Sequence, residues 1–357
     1  GCTSLTSLKC ENNPLTSINL SGCQSLKGFG WSNGELTRLE VSGCTAMTSL
    51  DCSGNKLTRL DLSTNRALTT LDCSNNQLTN LNLSENRALT TLNCSDNQLT
   101  NLDLSENRAL KMLKCFSNQL NSLDLSNHRA LEILSCEKNQ LIRLKLSGCS
   151  SLGWLYCHTN QLIQLDISGS RDLRILNCSE NRLTSLKVSR YYSLRDVICS
   201  NNQLTSLDVS DCVNLIRLQC QENQLTNLNA QGCTILMELL CQENQLTNLN
   251  AQGCRSLMEL QCQSNHLTSL NVTRCTDLRS LQCSDNQLTS LDVSDCSGLK
   301  SLDCRRNKIK SAEMSQLINS LPNRRGYESG RLEVVDKSAP TEENFCYQYD
   351  MDVARYK

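Results

Sequence analysis

One 21-residue period governs this chain from Leu5 to about Met314, and no insertion or deletion interrupts it. Residues 68–88 and 89–109 differ at only three positions, and residues 220–233 and 241–254 are identical (CQENQLTNLNAQGC). A fixed period of this length is the mark of a solenoid, in which each repeat covers the apolar face of its neighbour. The sequence therefore predicts fifteen stacked turns, counted from Cys10 to Cys304.

Each turn contains two similar halves of 10 and 11 residues. The first reads LxxLxCxxN, and the second reads LxxLxLxx followed by Asn or Cys. Inward Leu and Cys alternate with polar residues, which is the period of a β-strand, and 21 residues leave no room for a full outer helix. We therefore predict a mainly β repeat solenoid: a curved array with a parallel inner sheet and short extended outer segments. The recurrent Asn is expected to satisfy backbone groups where the chain leaves the strand.

This pattern resembles the leucine-rich repeat, whose signature is LxxLxLxxN. The 10-plus-11 form with Cys at the inner strand position is similar to the 21-residue bacterial class, to the cysteine-ladder repeats of internalin J and to leucine-rich surface proteins of Bacteroidetes. The resemblance covers about residues 1–315 and implies a leucine-rich-repeat fold. It also implies an extracellular or cell-surface location and a role in adhesion, host interaction, virulence or biofilm formation.

Twenty-three of the 24 cysteines fall into two columns with the 21-residue period. Fourteen take the inner strand position; nine take the second-half position, namely Cys2, Cys23, Cys44, Cys149, Cys212, Cys233, Cys254, Cys275 and Cys296. Asn65, Asn86 and Asn107 share that second column, and an Asn replaces a small, weakly hydrogen-bonding group rather than half of a disulfide. Neighbouring Cβ vectors would also run parallel, which disfavours disulfides. We interpret the columns as buried thiols; redox sensing is the alternative, and Cys346 is unassigned.

The repeat ends after Cys304, so we divide the chain into a solenoid, residues 1–310, and a cap, residues 311–357. Because the chain opens inside a repeat, we expect an N-terminal cap and a leader to be missing. In the C-terminal cap, Ser311 is predicted to cap a helix whose Met314, Leu317, Ile318 and Leu321 have helical spacing, and Pro322 ends it. Gly326 and Gly330 flank a predicted turn, and residues 331–335 alternate like a strand.

Charge and residue types disfavour several classes of function. The 35 basic and 36 acidic residues leave no net field to attract nucleic acid, and no apolar run is long enough to cross a bilayer. The three histidines, His128, His158 and His266, fall in different columns, which argues against catalytic triads. No CxxC motif or Cys/His cluster indicates a metal site. We therefore expect no enzyme activity, cofactor or metal.

An apolar cluster interrupts the polar outward face of the predicted inner sheet. In the column before the strand Leu, most turns carry Ser, Thr or a charge, but four consecutive turns do not. Aromatic residues fall in neighbouring columns of the same turns, as expected for a binding hot spot. The predicted partner-binding residues are Met112, Phe116, Ile133, Trp154, Tyr156, His158, Ile175 and Ile198, with Lys111, Lys114, Glu132, Glu137 and Lys138 as a rim. The alternative is neutral drift within one block of repeats.

A second feature is acidic. Glu222, Glu238, Glu243 and Glu259 lie among glutamines in three successive turns, where a solvated face is the simpler interpretation and a site for a basic partner or cation is the alternative.

These patterns favour a non-enzymatic module at the cell surface or in the medium that binds a protein partner through a concave sheet. Two alternatives stay open: a spacer or self-associating strut, and an interaction domain of a larger effector. A glycan is an alternative ligand, because Trp and Tyr also stack on sugars.

Overall fold

The computed structural model describes residues 2–8, 10, 13–230, 232–322, 330–336, 338 and 342–346. They belong to two compact units, Gly1–Leu173 and Arg174–Lys357, and each is a parallel β-solenoid with an inner sheet and short outer strands. Inner strands are assigned in fourteen of the fifteen turns. The first turn, around Cys10, includes residues 9, 11 and 12, which lie outside the described part of the chain.

The first unit has seven inner strands and four outer ones. The inner strands, in sheet order, are β2 (Gly28–Gly30), β4 (Ser49–Asp51), β5 (Thr70–Asp72), β6 (Thr91–Asn93), β7 (Met112–Lys114), β9 (Ile133–Ser135) and β11 (Trp154–Tyr156). The outer strands form two parallel pairs, β1 (Ser17–Asn19) with β3 (Arg38–Glu40) and β8 (Ser122–Asp124) with β10 (Arg143–Lys145).

The second unit repeats this architecture and adds the C-terminal elements. Its inner strands are β12 (Ile175–Asn177), β13 (Asp196–Ile198), β15 (Arg217–Gln219), β17 (Glu238–Leu240), β19 (Glu259–Gln261), β21 (Ser280–Gln282), β22 (Ser301–Asp303) and β23 (Arg331–Glu333). The outer pairs are β14 (Ser206–Asp208) with β16 (Asn227–Asn229) and β18 (Asn248–Asn250) with β20 (Ser269–Asn271). One helix, α1 (Ser311–Ser320), precedes β23.

The pairing register equals the sequence period. Within each unit, residues of the repeat's inner strands pair with residues 21 positions away, as Leu71 does with Leu92 and Leu260 with Leu281. Columns of the sequence are therefore rows on the sheet, and the predicted leucine-rich-repeat solenoid is confirmed. Nearly all inward Leu and Cys residues of both units are buried and form an apolar core in each.

The inner asparagines connect successive turns. Asn118 donates from Nδ2 to the carbonyl of Cys94 in the preceding turn (3.0 Å) and to that of Cys115 in its own turn (3.2 Å), and its Oδ1 accepts from the Leu99 amide (2.9 Å). The same three bonds recur at Asn76 and Asn286. The predicted role of the column in satisfying backbone groups is thereby confirmed.

The one turn without this Asn has a compensating change. Gly34 takes the Asn position in the turn where Trp31 replaces Cys, and Trp31 is buried. A Cβ at Gly34 would lie 2.5 Å from the Trp31 indole nitrogen and 2.9 Å from Asn55 Oδ1. The indole fills the space that an Asn side chain occupies elsewhere, so only glycine fits there.

In the second column, Cys and Asn side chains donate hydrogen bonds to equivalent backbone carbonyls. The Cys44 thiol donates to the Leu20 carbonyl (3.1 Å), and Asn65 Nδ2 donates to the Val41 carbonyl (3.0 Å), which is the equivalent group one turn later. His128, also buried in this column, places Nε2 3.2 Å from the Leu104 carbonyl. Cys, Asn and His thus each present a polar hydrogen to the same carbonyl position, which explains why Cys and Asn interchange in this column.

The C-terminal segment continues both the sheet and the asparagine column. Strand β23 pairs in parallel with β22. Asn344 accepts from the Ile309 amide (2.8 Å) and donates to the carbonyls of Cys304 (2.8 Å) and Val334 (2.7 Å). Asn344 thus makes the same kinds of hydrogen bond as the inner asparagines, although 37 residues, rather than 21, separate it from Asn307.

The sequence predicts the cap helix well but not its start. Met314, Leu317 and Ile318 are buried, and the helix ends before Pro322. The predicted cap by Ser311 is wrong: Lys310 holds the N-cap position and makes no side-chain cap bond, while Ser311 has a left-handed φ of 41°. The predicted strand is also two residues shorter, ending at Glu333. Gly326 lies outside the described residues.

Replacing Asn344 by Ala should destabilise the end of the second unit. The change leaves the Ile309 amide and the Val334 carbonyl without their Asn344 partner in a buried place, while the Cys304 carbonyl keeps the bond from Asn307 (2.9 Å). We expect a cost of about 2 kcal/mol or more. Hydrogen exchange of the Ile309 amide measures the loss locally. Glu343→Ala, at the exposed neighbouring position, is the control. Equal protection of Ile309 in both variants would refute the role of Asn344.

The buried thiols should resist alkylation while the protein is folded. Burial raises the pKa of the Cys149 thiol to about 11 and those of Cys178 and Cys241 to about 12, so almost none is thiolate at pH 8. Iodoacetamide at that pH should label the exposed Cys2 first and the buried thiols of both columns only after unfolding in guanidinium, as read by mass spectrometry. Labelling of Cys178 at the rate of Cys2 in the native protein would contradict this.

Candidate partner-binding surface

Three of the predicted site residues form one row on the inner sheet of the first unit. Met112 on β7 pairs with Ile133 on β9, which in turn pairs with Trp154 on β11. All three side chains point outward from strands whose central Leu is buried, and all three are half-buried. The register thus brings them side by side at the spacing of neighbouring strands, about 4.8 Å apart.

Two further rows flank this one. Tyr156 pairs with Ser135 in the next outward column of the sheet. Phe116, Glu137 and His158 follow where the chain leaves three successive strands, and backbone bonds connect these turns (Ser117 amide to Glu137 carbonyl, 3.0 Å; Lys138 amide to His158 carbonyl, 3.1 Å). We call the set Met112, Phe116, Ile133, Trp154, Tyr156 and His158 the inner patch.

The remaining two predicted residues belong to the second unit. Ile175 pairs with Asp196, whereas Ile198 pairs with Asn177 and Gln219, so the two isoleucines lie in different rows of neighbouring strands. In the row of Ile175, the next two residues are Asp196 and Arg217. Asp196 is buried and accepts two hydrogen bonds from Arg217 (2.7 and 3.0 Å). The second unit therefore does not continue an apolar row beyond Ile175.

Glu137 belongs to the turn between those of Phe116 and His158. Its Oε2 is buried and has no hydrogen-bond partner among the described residues. Burial raises the pKa of the Glu137 carboxyl; Asp96 raises it further, while the ammonium groups of Lys138 and Lys114 oppose the shift. A partly buried carboxylate thus lies in the turn between two members of the inner patch, Phe116 and His158.

Other apolar side chains are more exposed than those of the inner patch, and the sequence-based prediction missed them. They are Ile142, Ile163, Tyr192, Val213, Ile235, Met237 and Phe345. Ile142 and Ile163 occupy a column that carries Thr in most turns. The same loss of periodic polarity marks these two isoleucines in the sequence, in an outward column that is not part of the inner sheet.

Glutamine amides donate hydrogen bonds to two carboxylates of the acidic feature in the second unit. Glu238 and Glu259 are directly paired across β17 and β19, an unfavourable arrangement of like charges. Gln219 donates to Glu238 (2.6 Å), and Gln261 donates to Glu259 (2.6 Å). These bonds support the interpretation of a solvated face stabilised by its own side chains.

Neither a metal cluster nor a membrane-spanning helix is found among the described residues. No group of three or more His, Cys, Asp or Glu side chains there is arranged to hold a metal ion. No helix in the described part of the chain has the length and apolar character that a bilayer span needs.

Replacing Glu137 by Gln should stabilise the protein at neutral pH. A carboxyl whose pKa is raised by folding binds its proton more tightly in the folded state, so its ionisation destabilises the fold as pH rises through that window. The melting temperature of Glu137→Gln should therefore exceed that of wild type at pH 7, and the difference should vanish well below the ordinary Glu pKa of about 4.3. Glu132→Gln, at an exposed rim position, is the control. A difference that persists unchanged at low pH would show that ionisation of Glu137 is not its cause.

Comparison with solved structures identifies relatives of this fold. The functional domain of internalin J (InlJ) from Listeria monocytogenes, which includes a cysteine ladder, is 32% identical, with a TM-score of 0.67; the match covers 84% of this chain and 72% of that one. YopM from Yersinia enterocolitica is 24% identical, with a TM-score of 0.70, over 92% and 74% of the two chains. The Toll–Spätzle complex from Drosophila is 20% identical, with a TM-score of 0.64, over 80% and 45%.

No protein-family model and no curated protein sequence matches the chain. The match to the internalin J domain extends beyond the fold to its cysteine ladder, which in this chain is the buried thiol column of the inner strands. Identity and coverage together establish the relationship: the chain belongs to the leucine-rich-repeat family of internalin J.

Proposed function

We propose that this chain is a non-enzymatic module that binds a protein partner through the inner patch. The observation that carries the proposal is the register of the first unit, which aligns Met112, Ile133 and Trp154 on a face that carries Ser, Thr or Asp in the neighbouring turns. Large side chains that are half-buried at rest need little ordering on binding, and Trp and Tyr are the residues most enriched in binding hot spots.

The relatives support a binding role of this kind. Toll is described in complex with Spätzle, and the internalin J fragment is described as its functional domain. In a leucine-rich-repeat array the fold dictates the inward residues, so binding specificity resides on outward residues such as those of the inner patch.

We further propose a location outside the cell or at its surface, with a role in adhesion, host interaction or biofilm formation. The family relationship supports this location. The burial of both thiol columns is compatible with it, because thiols kept from solvent resist the oxidants of an extracellular medium.

Substitutions in the inner patch should weaken partner binding without unfolding the protein. Trp154→Ala and Tyr156→Ala should each cost about 2 kcal/mol of binding free energy and less than about 1 kcal/mol of stability. Ser49→Ala, in the same outward column on β4, is the matched control. Wild type and the three variants, immobilised side by side, are compared for capture from a surface-protein extract, and the captured protein is then purified for affinity measurement.

Normal affinity of both variants for the purified partner would show that the inner patch is not the binding site. Solution scattering over a range of concentrations provides the second readout. Growth of the particle with concentration, without added partner, would instead indicate a self-associating strut.

A further inference from the structure

A second apolar surface lies on the second unit, where the chain enters the inner strands. The column two residues before each strand Leu carries Thr, a charged residue or glycine in every turn from Lys27 to Lys300 except three. Those three are consecutive and hold Ile216, Met237 and Met258. One conservative change would be unremarkable, but three adjacent losses of polarity at solvent-facing positions indicate a surface of distinct chemistry.

Backbone bonds fix these side chains next to each other. The Met237 amide donates to the Ile216 carbonyl (2.8 Å), and the Met258 amide donates to the Met237 carbonyl (2.8 Å). The three residues therefore follow one another at the inter-strand spacing of about 4.8 Å. Met237 is 37% exposed, and Ile216 and Met258 are half-buried.

Two further aliphatic neighbours widen the surface. Ile235, two residues before Met237, is 40% exposed, and Val213, three residues before Ile216, is 44% exposed. We call Val213, Ile216, Ile235, Met237 and Met258 the edge stripe. All of its members belong to the second unit, whereas the inner patch belongs to the first.

Arginine side chains border the edge stripe. The same column continues with Arg195 on one side and Arg279 on the other, bonded through the backbone to Ile216 (2.8 Å) and Met258 (2.9 Å). Arg255 follows the Cys of the Met258 turn. All three arginines are exposed, and none forms a salt bridge with another described residue. The carboxylates of Glu238 and Glu259, which follow Met237 and Met258 in sequence, accept hydrogen bonds from glutamine amides.

We propose that the edge stripe docks a protein segment that carries apolar side chains flanked by Asp or Glu. Methionine adapts its shape to the apolar groups of a partner, and arginine binds carboxylates through two parallel hydrogen bonds. Apolar contact in the middle with charge pairing at the rim is the usual anatomy of a protein interface. This docking is separate from the binding proposed for the inner patch.

A displayed library of random linear peptides, selected against the immobilised full chain, tests the docking. We expect enriched peptides to carry apolar residues between acidic ones. Their affinity should fall at least about tenfold in Met237→Asp and in the double variant Arg195→Glu/Arg279→Glu. Ile142→Asp is the matched control, because it places the same charge on an exposed apolar side chain of the first unit, and it should leave binding unchanged. Thermal unfolding verifies that each variant is folded.

Several outcomes would overturn the docking proposal. They are the absence of enriched peptides, enrichment of basic flanks, and binding that survives Met237→Asp. Dimerisation of the chain that Met237→Asp abolishes would assign the edge stripe to a second copy and refute the acidic segment. Trp154→Ala separates the two surfaces: it should leave these peptides bound while it weakens the partner of the inner patch.

Discussion

The hydrogen bonds of the inner asparagine amides hold every other feature of this molecule in place. Each amide bonds the carbonyl of its own turn, that of the preceding turn and a leucine N–H, as Asn118 shows. These bonds stabilise the residue before the Asn in a left-handed conformation, even where it is Thr159 or Glu180 rather than glycine. Such a conformation costs an L-residue about 1–2 kcal/mol. The amides offset that cost in the turns that carry the Asn, and they connect each of these turns to the one before it.

Much of the fold was predictable, because one period fixes both strand spacing and register. The inward columns, the buried thiols and the cap helix all follow from apolar spacing. Asn344 was not predictable: it completes the asparagine column from a segment without the repeat, and only the geometry of β23 brings it there. The N-cap at Lys310 also escaped prediction, because a serine favours a cap only where the backbone allows its side chain to reach an amide.

At the candidate site, the order of the residues could be predicted from the sequence, but their exposure could not. The sequence placed Met112, Ile133 and Trp154 in one row because columns become rows. Exposure was harder to predict, since it depends on how neighbouring side chains cover each other. The residues of the inner patch are half-buried, whereas Met237 and Ile235 stand further into solvent. Aromatic residues make the inner patch visible in the sequence. The edge stripe consists of aliphatic side chains, three of them in a column that is usually Thr or charged. It is visible only when that column is compared from turn to turn.

The two columns of thiols make the protein sensitive to oxidation when it unfolds. While the turns remain stacked, nearly all of the sulfur atoms are removed from solvent, and thiols of the second column donate to backbone carbonyls, as Cys44 does to Leu20. Once a unit opens in an oxidising medium, a run of equivalent thiols with no pairing rule becomes free to form disulfides in many combinations. Few of those products can restack. Outside the cell, the working lifetime of such a protein is therefore governed by how rarely it opens, and not by the equilibrium between folded and unfolded chains.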